Sequence, residues 1–236
     1  MSHIVERIRA EFKANVDKKT QKSTQKFFKE ELTFYGVKTS LVGKIAIKRW
    51  HEVKFLSKVQ IFALCEELYC SGYTEEALVV STWLPNMIEK LTPSDLNIFK
   101  YWIEHYINNW ATCDALCNHT VGYLLEKYPI TIAEIKTWAK SDNRWLKRAA
   151  AVSLILPARK GGFLNDVFEI SDILLCDKDD LVQKGYGWLL KEASKLHQKE
   201  VFNYVLKNRK AMPRTSLRYA IELMPKDLKE KAMVRD

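Results

Sequence analysis

Three ten-residue segments of this sequence resemble one another, and their spacing limits the folds that the chain can adopt. The segments are residues 143–152, 180–189 and 213–222. They align so that Lys147, Lys184 and Arg218 occupy matching positions, 37 and 34 residues apart. A repeat of this length, with a helix pair in each copy, is typical of HEAT-like solenoids. We therefore predict an all-α fold, with residues 1–236 forming a single curved solenoid domain.

The distribution of helix-breaking residues also favours helices. Gly and Pro are few, 8 and 6 in 236 residues, and no stretch alternates polar and apolar residues between hairpin turns. We therefore predict no β-sheet. The predicted boundaries are N-caps at Thr39, Ser57 and Thr92, helix ends at Pro129 and Pro157, and a helix start at Pro213.

The charge balance points to an anionic partner. Lys and Arg number 38 against 29 Asp and Glu, which gives a formal net charge of +9. Nucleic acid ranks ahead of a membrane or an acidic protein, although a soluble protein can be basic without such a partner. No apolar stretch approaches the ~18 residues of a membrane span, and the first residues lack the apolar core of a signal peptide. We expect a cytoplasmic protein, not a membrane protein, which in a bacterium would have access to the nucleoid.

The matched cations predict a basic stripe. In stacked repeats, equivalent positions fall along one continuous surface, so Lys147, Lys184 and Arg218 would line up there. Basic residues are also dense in residues 140–160 and 207–218. Such a stripe would bind a nucleic-acid backbone without reading bases. The alternative is a set of ordinary solvated lysines and arginines.

One acidic residue stands out against this basic background. Asp114 follows Trp110 by four residues, so in a helix the carboxylate and the indole share a face. Binding of phosphates would not require an acid, which makes a chemical role a reasonable hypothesis. The alternative is that Asp114 is the N-cap of a helix beginning near Ala115.

The cysteines do not predict a metal site. Cys113 and Cys117 are one turn apart with His119 nearby, but a structural zinc site needs four ligands and no second pair is present. We expect reduced, partly buried thiols, and neither a metal nor a cofactor.

Four blocks of the sequence carry a family resemblance that extends over nearly the whole chain. They are NWATCD at 109–114, SDNRWLKRAA at 141–150, QKGYGWLLK at 183–191 and MPRTSLRYAI at 212–221. These blocks resemble the HEAT-like-repeat alkylpurine DNA glycosylases, the AlkD-type DNA alkylation repair proteins. The resemblance implies a right-handed superhelix whose concave face grips double-stranded DNA. It also implies hydrolysis of the N-glycosidic bond of N3- and N7-alkylated purines, as in base excision repair, without flipping of the base.

The resemblance assigns roles to individual residues. Asp114 matches the catalytic carboxylate, and Trp110 and Trp188 match two cleft tryptophans that pack against the deoxyribose. Arg148 matches a DNA-contacting arginine, and Lys191 stands where an arginine is expected, which keeps the charge but loses the bidentate fork. Together with the stripe, the predicted DNA-binding set is Arg148, Lys147, Lys184, Lys191, Arg214 and Arg218.

The N-terminal part matches the family less closely. Phe27 stands where the family can have tyrosine and Lys38 where it can have glutamine, both near the expected lesion. A related branch binds DNA without cutting glycosidic bonds and lacks an early helix, whereas residues 18–34 here are predicted to be helical. We expect a monomer, because a solenoid that binds duplex DNA can act alone. The alternatives are a non-catalytic HEAT-repeat module for branched or distorted DNA, and a protein-binding adaptor.

Overall fold

The described chain consists of helices joined by short turns. A computed structural model describes residues 2–234. Within this range there is no β-strand, and a single isolated bridge joins Thr33 and Tyr73. The all-α prediction is therefore confirmed. None of the helices in this range is long and apolar enough to cross a membrane.

The chain forms two compact units, the first ending at Leu116 and the second beginning at Cys117. The helices of the first unit are α1 (Ser2–Ala14), α2 (Lys18–Gln25), α3 (Thr39–Val53), α4 (Lys58–Cys70), α5 (Thr74–Trp83), α6 (Leu96–His105) and α7 (Trp110–Asp114). In this unit α1 and α5 both pack against α3 and against α4. The largest fully buried side chains there include Phe12, Trp83, Phe99 and Trp102.

The second unit contains the three similar segments. Its helices are α8 (Gly122–Lys127), α9 (Ile132–Ala139), α10 (Arg144–Ser153), α11 (Ile155–Arg159), α12 (Leu164–Leu174), α13 (Asp180–Ala193), α14 (Gln198–Asn208), α15 (Arg214–Ala220) and α16 (Lys226–Met233). The repeated segments coincide with α10, α13 and α15, and these helices pack in sequence order, α13 between the other two. Helix α9 packs against α10, α12 packs against α10 and α13, and α9 and α12 pack against each other. Paired, stacked helices of this kind confirm the predicted repeat within this unit.

The contact between α13 and α15 is unusually close. A Cβ atom placed on Gly187 would lie 2.7 Å from the Cβ of Tyr219 and 2.8 Å from the carbonyl oxygen of Ser216. Beside it, the hydroxyl of Tyr186 donates a hydrogen bond to the Ser216 Oγ at 2.6 Å. The absence of a side chain at Gly187 therefore sets the distance between these two helices.

The predicted helix over residues 18–34 is wrong in its length, because α2 ends at Gln25. The chain then runs without regular structure to Lys38, and a distant carboxylate holds it there. The Glu75 side chain accepts hydrogen bonds from the backbone N–H groups of Tyr35, Gly36 and Val37 at 3.1, 2.8 and 3.1 Å. Gly36 has φ +89°, a backbone conformation that a helix excludes.

Most of the predicted helix boundaries are confirmed. Ser57 caps α4 in a capping box with Gln60, Thr92 forms a capping box with Asp95, and α15 begins directly after Pro213. Thr39 was a wrong prediction, since it is the first residue of α3 and Lys38 occupies the cap position.

The two predicted helix ends have different outcomes. α8 ends at Lys127, two residues before Pro129, as expected. Pro157 does not end a helix, because it is the third residue of α11. A proline is tolerated in a first turn, where its missing N–H would have no partner within the helix.

Candidate functional site

The short helix α7 carries Trp110 and Asp114, and Asn109 fixes its start. The Asn109 Oδ1 accepts a hydrogen bond from the backbone N–H of Thr112 at 3.0 Å, the usual interaction of an N-cap. Trp110 and Asp114 are half-buried, whereas Thr112 and Cys113 between them are buried. The indole and the carboxylate therefore lie one turn apart on a partly accessible face of the helix.

Asp114 is the last residue of α7 and does not cap a later helix. The chain continues from it directly into a π-helical run, Ala115–Val121. A helix that continues offers no unpaired N-terminal amides, so the capping alternative is wrong. π-Helical turns are rare and occur frequently at functional sites, which draws attention to the position of this acid.

An aromatic side chain covers the indole of Trp110, and it is the neighbour of the predicted one. The rings of Phe28 and Trp110 are stacked, with centroids 5.4 Å apart and planes at 28°. Phe27, predicted to be close to the lesion, is 77% exposed and points into solvent. Because α2 ends at Gln25, the turn that follows determines which phenylalanine faces α7. The structure therefore adds Phe28 to the candidate site.

Lys38 lies beside the start of α2. Its ammonium is 3.5 Å from the Oδ2 of Asp17, and its side chain is 67% exposed. The Oδ1 of Asp17 accepts hydrogen bonds from the first turn of α2, and α2 itself contributes no buried residue. A shallow depression on this helix is lined by Lys18, Lys19, Lys22, Ser23 and Lys26. This part of the first unit is therefore basic and open to solvent.

In the second unit, Trp188 is held by a carboxylate that the sequence analysis did not single out. The half-buried indole of Trp188 donates a hydrogen bond from Nε1 to the Oε1 of Glu192 at 3.2 Å. The other oxygen of Glu192 accepts from the Nε of Arg159 at 2.8 Å and pairs with the Nζ of Lys195 at 2.6 Å. The spacing from Trp188 to Glu192 equals that from Trp110 to Asp114, which was the signal available in the sequence.

The predicted cations of the stripe lie on neighbouring helices, and several are paired with acids. Lys147 on α10 contacts Asp177 at 2.6 Å, and Lys184 on α13 contacts Asp180 at 3.2 Å. Arg218 on α15 is exposed and has no ion-pair partner among residues 2–234. The neighbouring acids offset the charges of Lys147 and Lys184, whereas no acid in the described part of the chain offsets the charge of Arg218.

The side chains of Lys191 and Arg214 both make contacts within the protein. The ammonium of Lys191 is 3.0 Å from Glu222 and lies over the ring of Tyr219, 5.7 Å from its centroid. The guanidinium of Arg214 donates to the backbone carbonyl of Met233 at 3.3 Å. Their contact with DNA stays a prediction.

Arg148 occupies a different place from the one expected of a DNA-contacting residue. Only 5% of it is exposed, and its Nη1 donates a hydrogen bond to the carbonyl oxygen of Leu181. Its side chain also lies against Gly185, with the Cγ 3.6 Å from where a Cβ would be. This burial argues against direct phosphate contact and indicates that Arg148 connects α10 to α13.

The site residues fall into two groups. Phe28, Trp110 and Asp114 belong to the first unit, and Trp188 and Glu192 belong to the second. In the described part of the chain, no three His, Cys, Asp or Glu side chains are placed to hold a metal ion.

Comparison with known proteins places this architecture in context. The profile of a family described as DNA alkylation repair enzyme matches residues 8–224. A comparison with curated proteins gives no match.

Solved structures share the fold at low sequence identity. A predicted DNA alkylation repair enzyme from Enterococcus faecalis superposes with a TM-score of 0.81 at 14% identity, covering 90% of this chain and 98% of that one. The protein smu.31 from Streptococcus mutans UA159 gives 0.58 at 22% identity, covering 81% and 91%. The Pseudomonas fluorescens alkylpurine DNA glycosylase AlkC, bound to DNA containing an abasic site analog, gives 0.52 at 18% identity, covering 98% and 65%.

Proposed function

Because the chain belongs to the DNA alkylation repair enzyme family, we propose that it is a DNA glycosylase for N3- and N7-alkylated purines in duplex DNA. The observation that carries this proposal is the placement of Asp114 one helical turn from the half-buried indole of Trp110. The DNA-bound alkylpurine glycosylase among the structural neighbours supports DNA as the partner. The +9 formal charge of the chain supports it as well.

The chemistry follows from the charge of the substrate. A purine alkylated at N3 or N7 is cationic, so the C1′–N bond breaks with its electron pair going to the base, without a general acid. The sugar then develops oxocarbenium character, which the carboxylate of Asp114 opposes. Water adds to C1′ and gives up a proton, for which Asp114 is the available base, leaving an abasic site.

The expected magnitude is moderate. At ~4 Å and an effective dielectric of ~20, a carboxylate and a unit positive charge interact by about 4 kcal/mol. That energy corresponds to roughly a thousandfold in rate. Such a contribution suits a leaving group that is already activated by alkylation.

Each of the two indoles would contact the sugar–phosphate backbone of the DNA. Trp110 and Trp188 each present an aromatic face, and such faces favour a nearby positive charge. The lesion then remains stacked in the duplex while the protein contacts the backbone. Exposed cations such as Arg218 would hold the phosphates.

Release of free base from methylated duplex DNA tests the proposal. The parent protein should release 7-methylguanine or 3-methyladenine, and Asp114→Asn, which removes the charge with little change of shape, should lower the rate about a thousandfold. Both proteins should bind the duplex comparably. Tight DNA binding by the parent without any base release would refute the glycosylase and favour a non-catalytic module for distorted DNA.

A further inference from the structure

The carboxylate of Glu192 divides its two oxygens between different partners. Oε1 accepts the indole N–H of Trp188 at 3.2 Å, while Oε2 meets Arg159 at 2.8 Å and Lys195 at 2.6 Å. Glu192 is 5% exposed, whereas the side chains of Arg159 and Lys195 are 44% and 42% exposed. The two cations therefore cover the carboxylate from solvent.

This arrangement requires a carboxylate. Burial raises the pKa of Glu192, but hydrogen bonds from Lys195, Arg159 and Trp188 outweigh that effect and hold the pKa below its ordinary value. Three donors converge on two oxygens, so an amide in the same place would turn its NH2 group toward a donor in either orientation. Glutamine would therefore lose either the indole contact or the contacts with the cations.

We propose that Glu192 is a positioning residue that fixes the ring of Trp188 for contact with a DNA sugar, an inference that rests on the proposed function. A tryptophan side chain rotates about two bonds, and a half-buried one has solvent on one side to move into. The hydrogen bond at Nε1 anchors the edge of the ring, and the paired cations anchor the carboxylate. Arg159, at the end of α11, thereby ties the orientation of an indole on α13 to a second helix.

A double-mutant cycle tests whether Glu192 acts through the indole. Glu192→Gln, Trp188→Phe and the double variant are compared for affinity to a duplex containing an abasic-site analogue, and for the rate of base release. Glu192→Gln alone should weaken binding about fivefold, the equivalent of one hydrogen bond. In the Trp188→Phe background, which has no indole N–H, the same change should have almost no effect.

A second indole–carboxylate pair in the same unit supplies the control. The Nε1 of Trp138 donates to the Oε1 of Glu134 at 3.1 Å, also one turn away, but Trp138 is fully buried. Glu134→Gln should alter stability at most and leave DNA affinity unchanged. A loss of affinity as large as that of Glu192→Gln would mean that both changes act through the fold, and the proposal would be overturned.

Two further results bear on the proposal independently of base release. Equal loss of affinity from Glu192→Gln in both backgrounds would show that Glu192 acts through Arg159 or Lys195 and not through Trp188. In the parent protein, the indole N–H of Trp188 should exchange slowly with solvent in hydrogen-exchange NMR. Its signal is the one that is missing from the spectrum of Trp188→Phe. Rapid exchange would contradict the hydrogen bond even if Glu192→Gln did not fold. Failure of the parent to release bases would refute the proposed function, while the binding cycle would still decide the role of Glu192.

Discussion

The contact at Gly187 predicts that a single added methyl group destabilises the second unit. In Gly187→Ala, the new Cβ would lie 2.7 Å from the Cβ of Tyr219 on α15. It would also lie 2.8 Å from the carbonyl oxygen and 3.0 Å from the Cα of Ser216 on the same helix. Ordinary carbon contacts are about 3.5–4.0 Å, so α13 and α15 must separate by roughly 1 Å. Overpacking of this kind costs about 1–3 kcal/mol, and the gain from replacing glycine in a helix is about 0.5–1 kcal/mol. The net loss of unfolding free energy should be about 1 kcal/mol, and about 2.5 kcal/mol at most.

The same helix provides a matched control at Gly185. A Cβ there would lie 3.6 Å from the Cγ of Arg148 and 3.7 Å from the Cβ of Ala151, which are normal distances. Gly185→Ala should therefore keep the helix-propensity gain and raise the unfolding free energy by about 0.5–1 kcal/mol. Two identical changes, two residues apart, are expected to have opposite signs.

Urea denaturation followed by circular dichroism measures both variants against the parent. The midpoints should move in opposite directions with an unchanged dependence on urea, which would indicate a change of stability and not of unfolded-state compactness. If Gly187→Ala were as stable as Gly185→Ala, the close approach of α13 to α15 would not exist in solution. The reasoning from the contact distances would then be refuted.

Three other predictions concern the candidate site and its surroundings. Phe28→Ala should lower the unfolding free energy by about 1 kcal/mol through loss of the aromatic stack, whereas Phe27→Ala should leave it nearly unchanged; equal melting temperatures would contradict the stack. The pKa of Glu192 is lowered in the folded state, so its contribution to stability is present above the ordinary glutamate value of 4.5 and is lost as the pH falls through the folded-state pKa. Urea denaturation at a series of decreasing pH values should therefore show that the unfolding free energy of Glu192→Gln falls less steeply than that of the parent. Parallel plots of unfolding free energy against pH would argue against the charged network. Arg218→Ala should reduce the slope of log DNA affinity against log salt concentration by about one, the equivalent of one phosphate contact. Arg148→Ala should instead lower stability and leave that slope unchanged; the reverse pattern would place the DNA against the buried arginine.

Local patterns in the sequence predicted the local structure well. The capping box that begins at Ser57 and the start of α15 after Pro213 depend only on neighbouring residues, and both are confirmed. The face shared by Trp110 and Asp114 is equally local, because it follows from helical spacing alone. The repeat of α10, α13 and α15 was visible because equivalent residues recur at nearly constant spacing.

Contacts between distant residues could not be predicted in this way. The expected helix over residues 18–34 is cut short, and the chain beyond it is held by Glu75, about 40 residues further on. The choice of Phe28 over Phe27 shows itself in the stack of Phe28 on Trp110, a residue of the distant helix α7. The burial of Arg148 depends on how closely α13 packs, since its side chain lies against Gly185. In each case the deciding contact belongs to the tertiary structure.

The short helix α2 has a consequence for how this fold can change. The backbone N–H of Asp17 donates to the carbonyl oxygen of Gly36 at 3.0 Å, so residues 17–36 form a closed loop within the first unit. Between these two points, α2 adds nothing to the apolar interior. Lengthening or shortening a closed loop of this kind changes the free energy of folding only slightly. Helix α2 can therefore take another length or charge, provided that the turn after it still places Phe28 against Trp110 and keeps Tyr35 buried.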